Sequence, residues 1–287
     1  MTVSGLNWLP LRGVEPPRLG EARLQAHYAI QWLARVVRAY IPPQPDDGHT
    51  NLGWDGALGG FTTYRLKDGA RLSLKITDLT LALHGGEASA HVQSFSLDGR
   101  SDAQARQWLS KQLDARGLDA HAIDAPSPYE MPAHAVSQGA PYGLTGLTDA
   151  FAELAAWFNN AGLSLGSIQR QMLARKWAAQ PVRCWPHHFD LATLTTLPAQ
   201  NADGTGYVGA GLSPGDEYYG EPYFYISVYP EPDPRMLPTL PMLGHWHGRD
   251  FIAAVATAHR ILTVKNRQAE TDCFLQAAID GAIKVFS

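Results

Sequence analysis

The sequence predicts an α+β fold, in which helices flank antiparallel β-sheets and two similar halves follow one another. Two observations carry this prediction. Segments with apolar residues at three- and four-residue steps are interspersed with short segments in which apolar and polar residues alternate. The short segments are joined by connections of hairpin length, which cannot form parallel crossovers. Each half therefore has the order helix, antiparallel meander, helix.

A stretch rich in Pro, Gly, Ser and Ala, residues 124–146, marks the predicted boundary between the halves. We place an N-terminal α+β half at residues 1–145. A C-terminal α+β half, which carries the candidate site, occupies residues 146–287. The shared order suggests an ancient duplication, although no residue-level repeat supports it.

The N-terminal half begins with a predicted helix over residues 19–40. Its apolar face is formed by Ala22, Ala26, Ala29, Leu33, Val36, Val37 and Tyr40. Pro42 and Pro43 end the helix, because proline lacks an amide hydrogen and restricts the residue before it.

A meander of strands follows in the same half. Asp68-Gly69 predicts a hairpin turn between residues 61–66 and an alternating run that starts at Arg71. The apolar phase reverses at Asp78, which predicts a bulge or a break there. The remaining predicted elements are a turn at Gly85-Gly86, a strand over residues 91–97, and a helix that opens at the capping box Ser101–Gln104 and stops at Gly117.

The C-terminal half has predicted helices at both ends and strands between them. Helical periodicity covers residues 148–160, 167–179, 249–264 and 268–285. Strands are predicted over residues 182–197, 205–212 and 223–229, and a proline-rich loop over residues 230–241. Gly209 and Gly211 lie in the middle strand without a lysine or helix start after them. They therefore indicate close packing or a sharp turn and not a phosphate-binding loop.

Composition excludes several classes of protein. The chain has 287 residues, of which 45% are hydrophobic, so it can bury a large core and is not disordered. Its net charge of -4, with scattered lysines, argues against nucleic acid as a partner. The longest apolar run, residues 251–256, is too short to span a membrane.

Only two cysteines, Cys184 and Cys273, are present, which is too few for a disulfide framework. The first residues do not have the basic start and apolar run of a signal peptide. We therefore expect a cytoplasmic protein.

Residues 184–247 concentrate the groups that could carry chemistry. Read as one strand, residues 183–190 place Cys184, His188 and Asp190 on one face. His188, Asp190 and His247 are candidate acid–base residues. With His245, the same three are candidate ligands of a divalent metal such as zinc or iron. No established metal motif is present, and the alternative is that these side chains are satisfied hydrogen-bonding groups at a sheet edge.

A strand of alternating aromatic residues provides the candidate ligand-binding surface. Alternation places Tyr223, Tyr225 and Tyr229 on one face, where their rings and hydroxyls would suit a planar or sugar-like ligand. Trp185 and Trp246 complete the candidate ligand-binding set. The alternative is that a helix covers this face and each hydroxyl has an internal partner.

The chain resembles a family of uncharacterised, mostly bacterial proteins that contain a domain of unknown function. The resemblance rests on short motifs in both halves. In the N-terminal half these are residues 49–54 and Gly60-Phe61-Thr62-Thr63. In the C-terminal half they are residues 185–192, including Phe189-Asp190-Leu191-Ala192, and Ser213-Pro214-Gly215 followed by residues 224–232, notably Tyr229-Pro230-Glu231-Pro232. The Gly60 region lacks the family's double tryptophan, and His187-His188 replaces small residues. The resemblance implies an architecture and no mechanism.

These observations predict a protein that binds a small-molecule ligand in an aromatic, histidine-containing cleft. If it is an enzyme, a hydrolase-like acid–base reaction fits the histidines and carboxylate better than hydride transfer does, because no dinucleotide motif is present. The alternative is a non-catalytic interaction module. Its aromatic and proline-rich surface would bind a protein partner or a second copy of the chain as a homo-oligomer.

Overall fold

The computed structural model describes residues 7–86, 91–197 and 206–286, and within them it confirms the α+β class with antiparallel sheets. The helices are α1 (Pro16–Tyr40), α2 (Asp102–Asp114), α3 (Thr148–Ala174), α4 (Ala258–Thr263) and α5 (Arg267–Phe286). The strands are β1 (Gly53–Asp55), β2 (Gly60–Thr62), β3 (Arg71–Lys75), β4 (Thr80–His84), β5 (Val92–Ser96), β6 (Ala178–Ala179), β7 (Arg183–Trp185), β8 (Asp190–Thr196), β9 (Tyr207–Ser213), β10 (Tyr223–Tyr229), β11 (His245–His247) and β12 (Ala253–Thr257). The first residue of the predicted strand 205–212 lies outside the described residues.

Two antiparallel sheets organise these strands. The first sheet is a meander with the order β1-β2-β3-β4-β5. In the second sheet six strands follow the order β11-β12-β10-β9-β8-β6. Strands β8, β9 and β10 form the predicted meander, whereas β12 lies between β10 and β11.

Residue contacts divide the chain into two compact units, which we name by their sheets. The first-sheet unit comprises Val14–Ala155 and Cys184–Phe189. The second-sheet unit comprises Met1–Gly13, Ala156–Arg183 and Asp190–Ser287. The predicted boundary between residues 145 and 146 stays a prediction, since these units interleave along the chain.

The predicted apolar face of α1 is confirmed in the first-sheet unit. Its alanines, leucines and valines are fully buried, and Tyr40 at the end of the helix is half-buried. The phase reversal at Asp78 is a break between two strands, because Leu79 adopts a φ of 45° in the turn from β3 to β4. The predicted capping box of α2 is also present, since the Ser101 amide donates to Gln104 Oε1 at 3.0 Å.

Two predicted helices of the C-terminal half are one helix in the structure. α3 continues through Gly162 and Gly166, where we predicted a break. Apolar residues at helical spacing stay buried on both sides of the glycines, including Phe158, Leu165 and Ile168. This burial outweighs the cost of about 1 kcal/mol that each glycine adds to a helix.

The prediction of a helix over residues 249–264 was wrong in its first part. β12 occupies Ala253–Thr257, all five residues are buried, and the strand pairs with β10 on one side and β11 on the other. A short apolar run that is buried on both faces has no alternation, so periodicity cannot distinguish it from a buried helix. Only the short helix α4 follows it.

The prediction of one strand over residues 182–197 was also wrong. A turn at residues 186–189 interrupts it, because the amides of His188 and Phe189 both donate to the Trp185 carbonyl, at 3.1 and 2.8 Å. Phe189 adopts a φ of 59° there. The alternation of side chains between two faces does not continue through a turn. The sequence pattern therefore gives no reason to place Cys184, His188 and Asp190 on one face.

In the described part of the chain no helix is long and apolar enough to cross a membrane.

Candidate functional site

A cavity of about 500 Å³ in the first-sheet unit is the candidate binding site. Its volume lies in the range of about 300–1,000 Å³ that is typical of small-molecule sites. Four segments line it: α1, the loop after α1, residues 128–129 and the turn that starts after β7. The lining includes Arg38, Asp46, Asp47, His49, Tyr129, Trp185 and His187.

One face of α1 holds the turn that contributes to the cavity. His27 Nε2 and Gln31 Nε2 both donate to the Pro186 carbonyl, at 2.8 and 2.9 Å. Ala34 and Arg38, further along the helix, line the cavity itself. Residues three and four apart share a helix face. His27 and Gln31, which bind the turn, therefore lie in one row with Ala34 and Arg38, which line the cavity. Burial lowers the pKa of His27 to about 4, so its imidazole is neutral and donates through Nε2.

Three rings form an aromatic wall along the cavity. The Trp185 and His187 centroids are 6.2 Å apart in an edge-on contact, and those of His187 and Tyr129 are 5.6 Å apart. The Tyr129 hydroxyl donates to Gln31 Oε1 at 2.7 Å, which orients its ring. Burial of the His187 ring, and the neighbouring charge of His188, lower the pKa of His187, so this imidazole is neutral at pH 7.

Arg38 is the basic group of the cavity. Its Nη1 atom is buried and has no hydrogen-bond partner among the described residues. Its guanidinium carbon lies 6.0 Å from the centroid of the Tyr129 ring, a cation–π contact. Burial and the nearby charge of Arg35 lower the pKa of Arg38, while Tyr129 raises it. Among the residues that the structure describes, no carboxylate forms an ion pair with Arg38.

The loop after α1 contributes polar groups to the cavity. Asp46 and Asp47 are exposed, and Asp46 Oδ1 accepts a hydrogen bond from the Gly48 amide at 3.0 Å. Asp47 adopts a φ of 54°, which aspartate tolerates better than most residues. His49 is buried, and its Nδ1 accepts from the Gln44 amide at 3.1 Å. The remaining ring nitrogen, Nε2, is therefore the donor of the neutral His49 imidazole.

The residues predicted from sequence fall in both units. Trp185 lines the cavity, and the His188 ring contacts the His187 ring at a centroid distance of 4.1 Å. Both belong to the first-sheet unit. Asp190, the predicted tyrosines, His245, Trp246 and His247 belong to the second-sheet unit. Their assigned roles in catalysis and ligand binding stay predictions.

Two of the predicted ligand-binding tyrosines make internal hydrogen bonds in the second-sheet unit. The Tyr225 hydroxyl donates to Asp190 Oδ2 and the Tyr223 hydroxyl to Asp216 Oδ2, each at 2.5 Å. Burial, reinforced by these carboxylates, raises the pKa of both phenols. Tyr229, in contrast, is 65% exposed. The three hydroxyls therefore do not form one open platform.

Tyr219 joins the two histidines of β11. Its hydroxyl lies 2.9 Å from His245 Nε2 and 3.0 Å from His247 Nδ1. His247 Nε2 lies 2.6 Å from the Arg249 carbonyl, which can only accept, so Nε2 carries the proton and Nδ1 accepts from Tyr219. The hydroxyl oxygen then accepts from His245 Nε2. Between these histidines, Trp246 donates from Nε1 to the Pro238 carbonyl at 2.7 Å.

The predicted metal site gains no support from the structure. Within residues 7–86, 91–197 and 206–286, no group of three or more His, Cys, Asp or Glu side chains could hold a metal ion. The predicted set was His188, Asp190, His245 and His247. His245 Nε2 and both ring nitrogens of His247 face protein partners.

Comparison with protein-family models, with curated proteins and with solved structures finds no match to this chain. The resemblance to the bacterial family of unknown function therefore stays a prediction.

Sequence reasoning did not identify three residues of the cavity: Arg38, His49 and Tyr129. Arg38 lies one helical turn after Ala34, beside the predicted apolar face of α1. Tyr129 lies in the proline-rich segment that we interpreted as a boundary. One signal was available for Arg38, since an arginine that flanks an apolar stripe can reach a buried site.

Proposed function

We propose that the protein binds a small organic ligand in the cavity of the first-sheet unit. One observation carries the proposal: a cavity of about 500 Å³ combines an aromatic wall with the half-buried guanidinium of Arg38, whose buried Nη1 has no hydrogen-bond partner among the described residues. Aromatic walls with a few polar groups are typical of small-molecule sites. This retains the aromatic, histidine-containing cleft expected from sequence, but assigns it to Trp185, His187 and Tyr129.

A ligand screen by thermal shift tests the proposal. A compound at about 100 times its Kd stabilises a protein by about 2.7 kcal/mol, which raises its unfolding temperature measurably. We expect binders to lose this effect in Trp185→Ala and to keep it in the matched control Trp177→Ala, which alters a half-buried tryptophan of the other unit. Compounds that stabilise wild type and Trp185→Ala equally, or no binder at all, would contradict the proposal.

Any acid–base step in this cavity would use His187 in place of His188 or His247. Its ring lines the cavity and is neutral at pH 7, as a general base must be. Hydrolysis of a generic aryl ester tests this part of the proposal. We expect His187→Gln to lose the activity and His121→Gln, a change at an exposed histidine, to retain it. Equal rates in the two variants would remove His187 from the reaction.

The interaction module remains a second candidate, and one observation favours it. The end of β10 and the loop after it expose large apolar side chains: Tyr229 is 65% exposed, Met236 65% and Met242 95%. A second copy of the chain is the partner that we would test first. Light scattering should then show mass increasing with concentration in wild type and not in Met236→Lys/Met242→Lys. A constant monomer mass would exclude self-association through this loop.

We also propose a reducing, cytoplasmic location. Cys273 is an exposed free thiol. An exposed thiol is compatible with a compartment that keeps cysteines reduced. Labelling with a fluorescent reporter fused to either terminus tests this location.

A further inference from the structure

We propose that the ligand of this cavity is a planar aromatic or heteroaromatic molecule with one carboxylate, and that Arg38 binds the carboxylate. The inference rests on the proposed function and specifies its substrate class. Three features of the cavity lead to it: the unpaired guanidinium, the aromatic wall and the acidic loop.

The guanidinium of Arg38 can bind an anion in the cavity. A buried N–H without an acceptor is unfavourable, and partial burial of the charge adds to the cost. Nη1 of Arg38 is buried without an acceptor among the described residues, although the side chain as a whole is half-buried. A carboxylate that enters the cavity would accept from the guanidinium and offset both costs. Guanidinium and carboxylate match in a planar, two-bond geometry that gives strong charge-assisted hydrogen bonds.

The aromatic wall favours a flat body attached to that carboxylate. Trp185, His187 and Tyr129 are in successive ring contacts, so they offer one continuous aromatic surface. Because Arg38 lies over the Tyr129 ring, the guanidinium is at the end of this surface. A ligand whose ring stacks on the wall therefore has its acidic group near Arg38.

The acidic loop favours a carboxylate over a phosphate. Asp46 and Asp47 line the same cavity, in which Arg38 is the one arginine or lysine among the described lining residues. A phosphate monoester carries nearly two negative charges at pH 7 and would be repelled by both aspartates. A monocarboxylate needs only the one charge that Arg38 supplies.

Calorimetric titration of the full chain with three matched probes tests the inference. The probes are 2-naphthoate, its neutral amide 2-naphthamide, and 2-naphthyl phosphate. We expect naphthoate to bind at least about tenfold more tightly than either of the others, which corresponds to about 1.4 kcal/mol. Arg38→Met should remove this advantage and leave naphthamide binding unchanged. Arg38→Lys should retain part of it, because lysine keeps the charge and loses the planar fork.

Arg65→Met is the matched control, since Arg65 is an exposed arginine of the same unit that donates to the Gly69 carbonyl. It should bind naphthoate like wild type. Thermal unfolding of Arg38→Met monitors folding, and we expect at most a small loss, because Arg38 makes no hydrogen bond to the described residues and loses only its cation–π contact with Tyr129. If Arg38→Met does not fold, Arg38→Lys provides the comparison.

The outcomes separate this inference from the proposed function. If naphthamide or naphthyl phosphate binds as tightly as naphthoate, and Trp185→Ala abolishes binding, the cavity binds ligands but the carboxylate assignment is wrong. If naphthoate binding is the same in wild type, Arg38→Met and Trp185→Ala, both proposals are wrong. If none of the three probes binds, the inference is overturned, and the broader screen alone decides the proposed function.

Discussion

His27 and Phe189 stack face to face, with ring centroids 5.1 Å apart and planes 8° from parallel. The same imidazole donates to the Pro186 carbonyl. One side chain of α1 therefore holds the turn after β7 at two points, and this turn carries the Trp185 and His187 rings of the cavity.

We expect this contact to make stability depend on pH. Burial lowers the pKa of His27 to about 4. In the unfolded chain the imidazole takes up a proton below about pH 6.5, whereas in the folded chain it does so only near pH 4. The contribution of neutral His27 to the free energy of unfolding is therefore complete above about pH 6.5 and is lost as the pH falls to about 4. The loss should reach about 3 kcal/mol, from roughly 1.4 kcal/mol per pKa unit.

Urea unfolding at about pH 7.5 and about pH 4.5 measures this effect. His27→Phe removes the titrating group and should reduce the pH dependence, although the loss of the Pro186 hydrogen bond lowers its stability at neutral pH. His121→Gln, at an exposed histidine, should keep the pH dependence of wild type. An unchanged difference between the two pH values in His27→Phe would contradict the assignment.

Tyr225→Phe should destabilise the protein by about 1–3 kcal/mol, since it removes a hydrogen bond to the buried Asp190 carboxylate. Tyr229→Phe is the control, because that ring is 65% exposed and its change should have almost no effect. Chemical denaturation of the two variants provides the measurement. Equal midpoints would mean that the Tyr225–Asp190 hydrogen bond does not contribute to stability.

Gly211→Ala should destabilise the second-sheet unit through the same tyrosine. A Cβ at this position would lie 2.4 Å from Tyr225 Cζ, so the ring would have to move away from Asp190. Overpacking of this kind typically costs about 1–3 kcal/mol. Gly220→Ala, where a Cβ would have no atom within 4 Å, should be nearly neutral. A thermal midpoint of Gly211→Ala that matches Gly220→Ala would disprove the close contact.

The tautomers around Tyr219 can be measured by ¹⁵N NMR of the imidazole rings. We expect both His245 and His247 to carry their proton on Nε2 at neutral pH. The Arg249 carbonyl can only accept, so His247 Nε2 must donate to it. His247 Nδ1 then accepts from the Tyr219 hydroxyl, and the hydroxyl oxygen accepts from His245 Nε2. Tyr219→Phe should release His245 to a mixture of tautomers and leave His247 unchanged. A protonated Nδ1 on His247 in wild type would contradict the hydrogen-bond order.

The elements that the sequence predicted well have one buried face. α1 and β10 are examples, since their apolar residues follow the period of a helix and of a strand. β12 was missed because both of its faces are buried and no alternation remains. Residues 183–190 were interpreted as one strand, whereas a turn begins at Pro186, so the alternation that predicted a common face for Cys184, His188 and Asp190 ends there.

The candidate site was only partly predictable. Trp185 and His187 were visible as part of an aromatic and histidine-rich segment. The importance of Arg38 depends on the absence of a partner for Nη1 within the described chain, and absence of a contact has no signature in sequence. Tyr129 reaches the cavity from a segment with no periodic pattern, so only tertiary structure could assign it.

The interleaving of the two units has a consequence for synthesis of the protein. The cavity combines groups from Val14–Ala155 with Trp185 and His187 of Cys184–Phe189. While the ribosome is still translating the intervening codons, the nascent chain has Arg38 and His49 but lacks Trp185 and His187. The cavity can therefore be completed only after Cys184–Phe189 has been synthesised, and a gene truncated after codon 155 would encode the first sheet without a complete cavity.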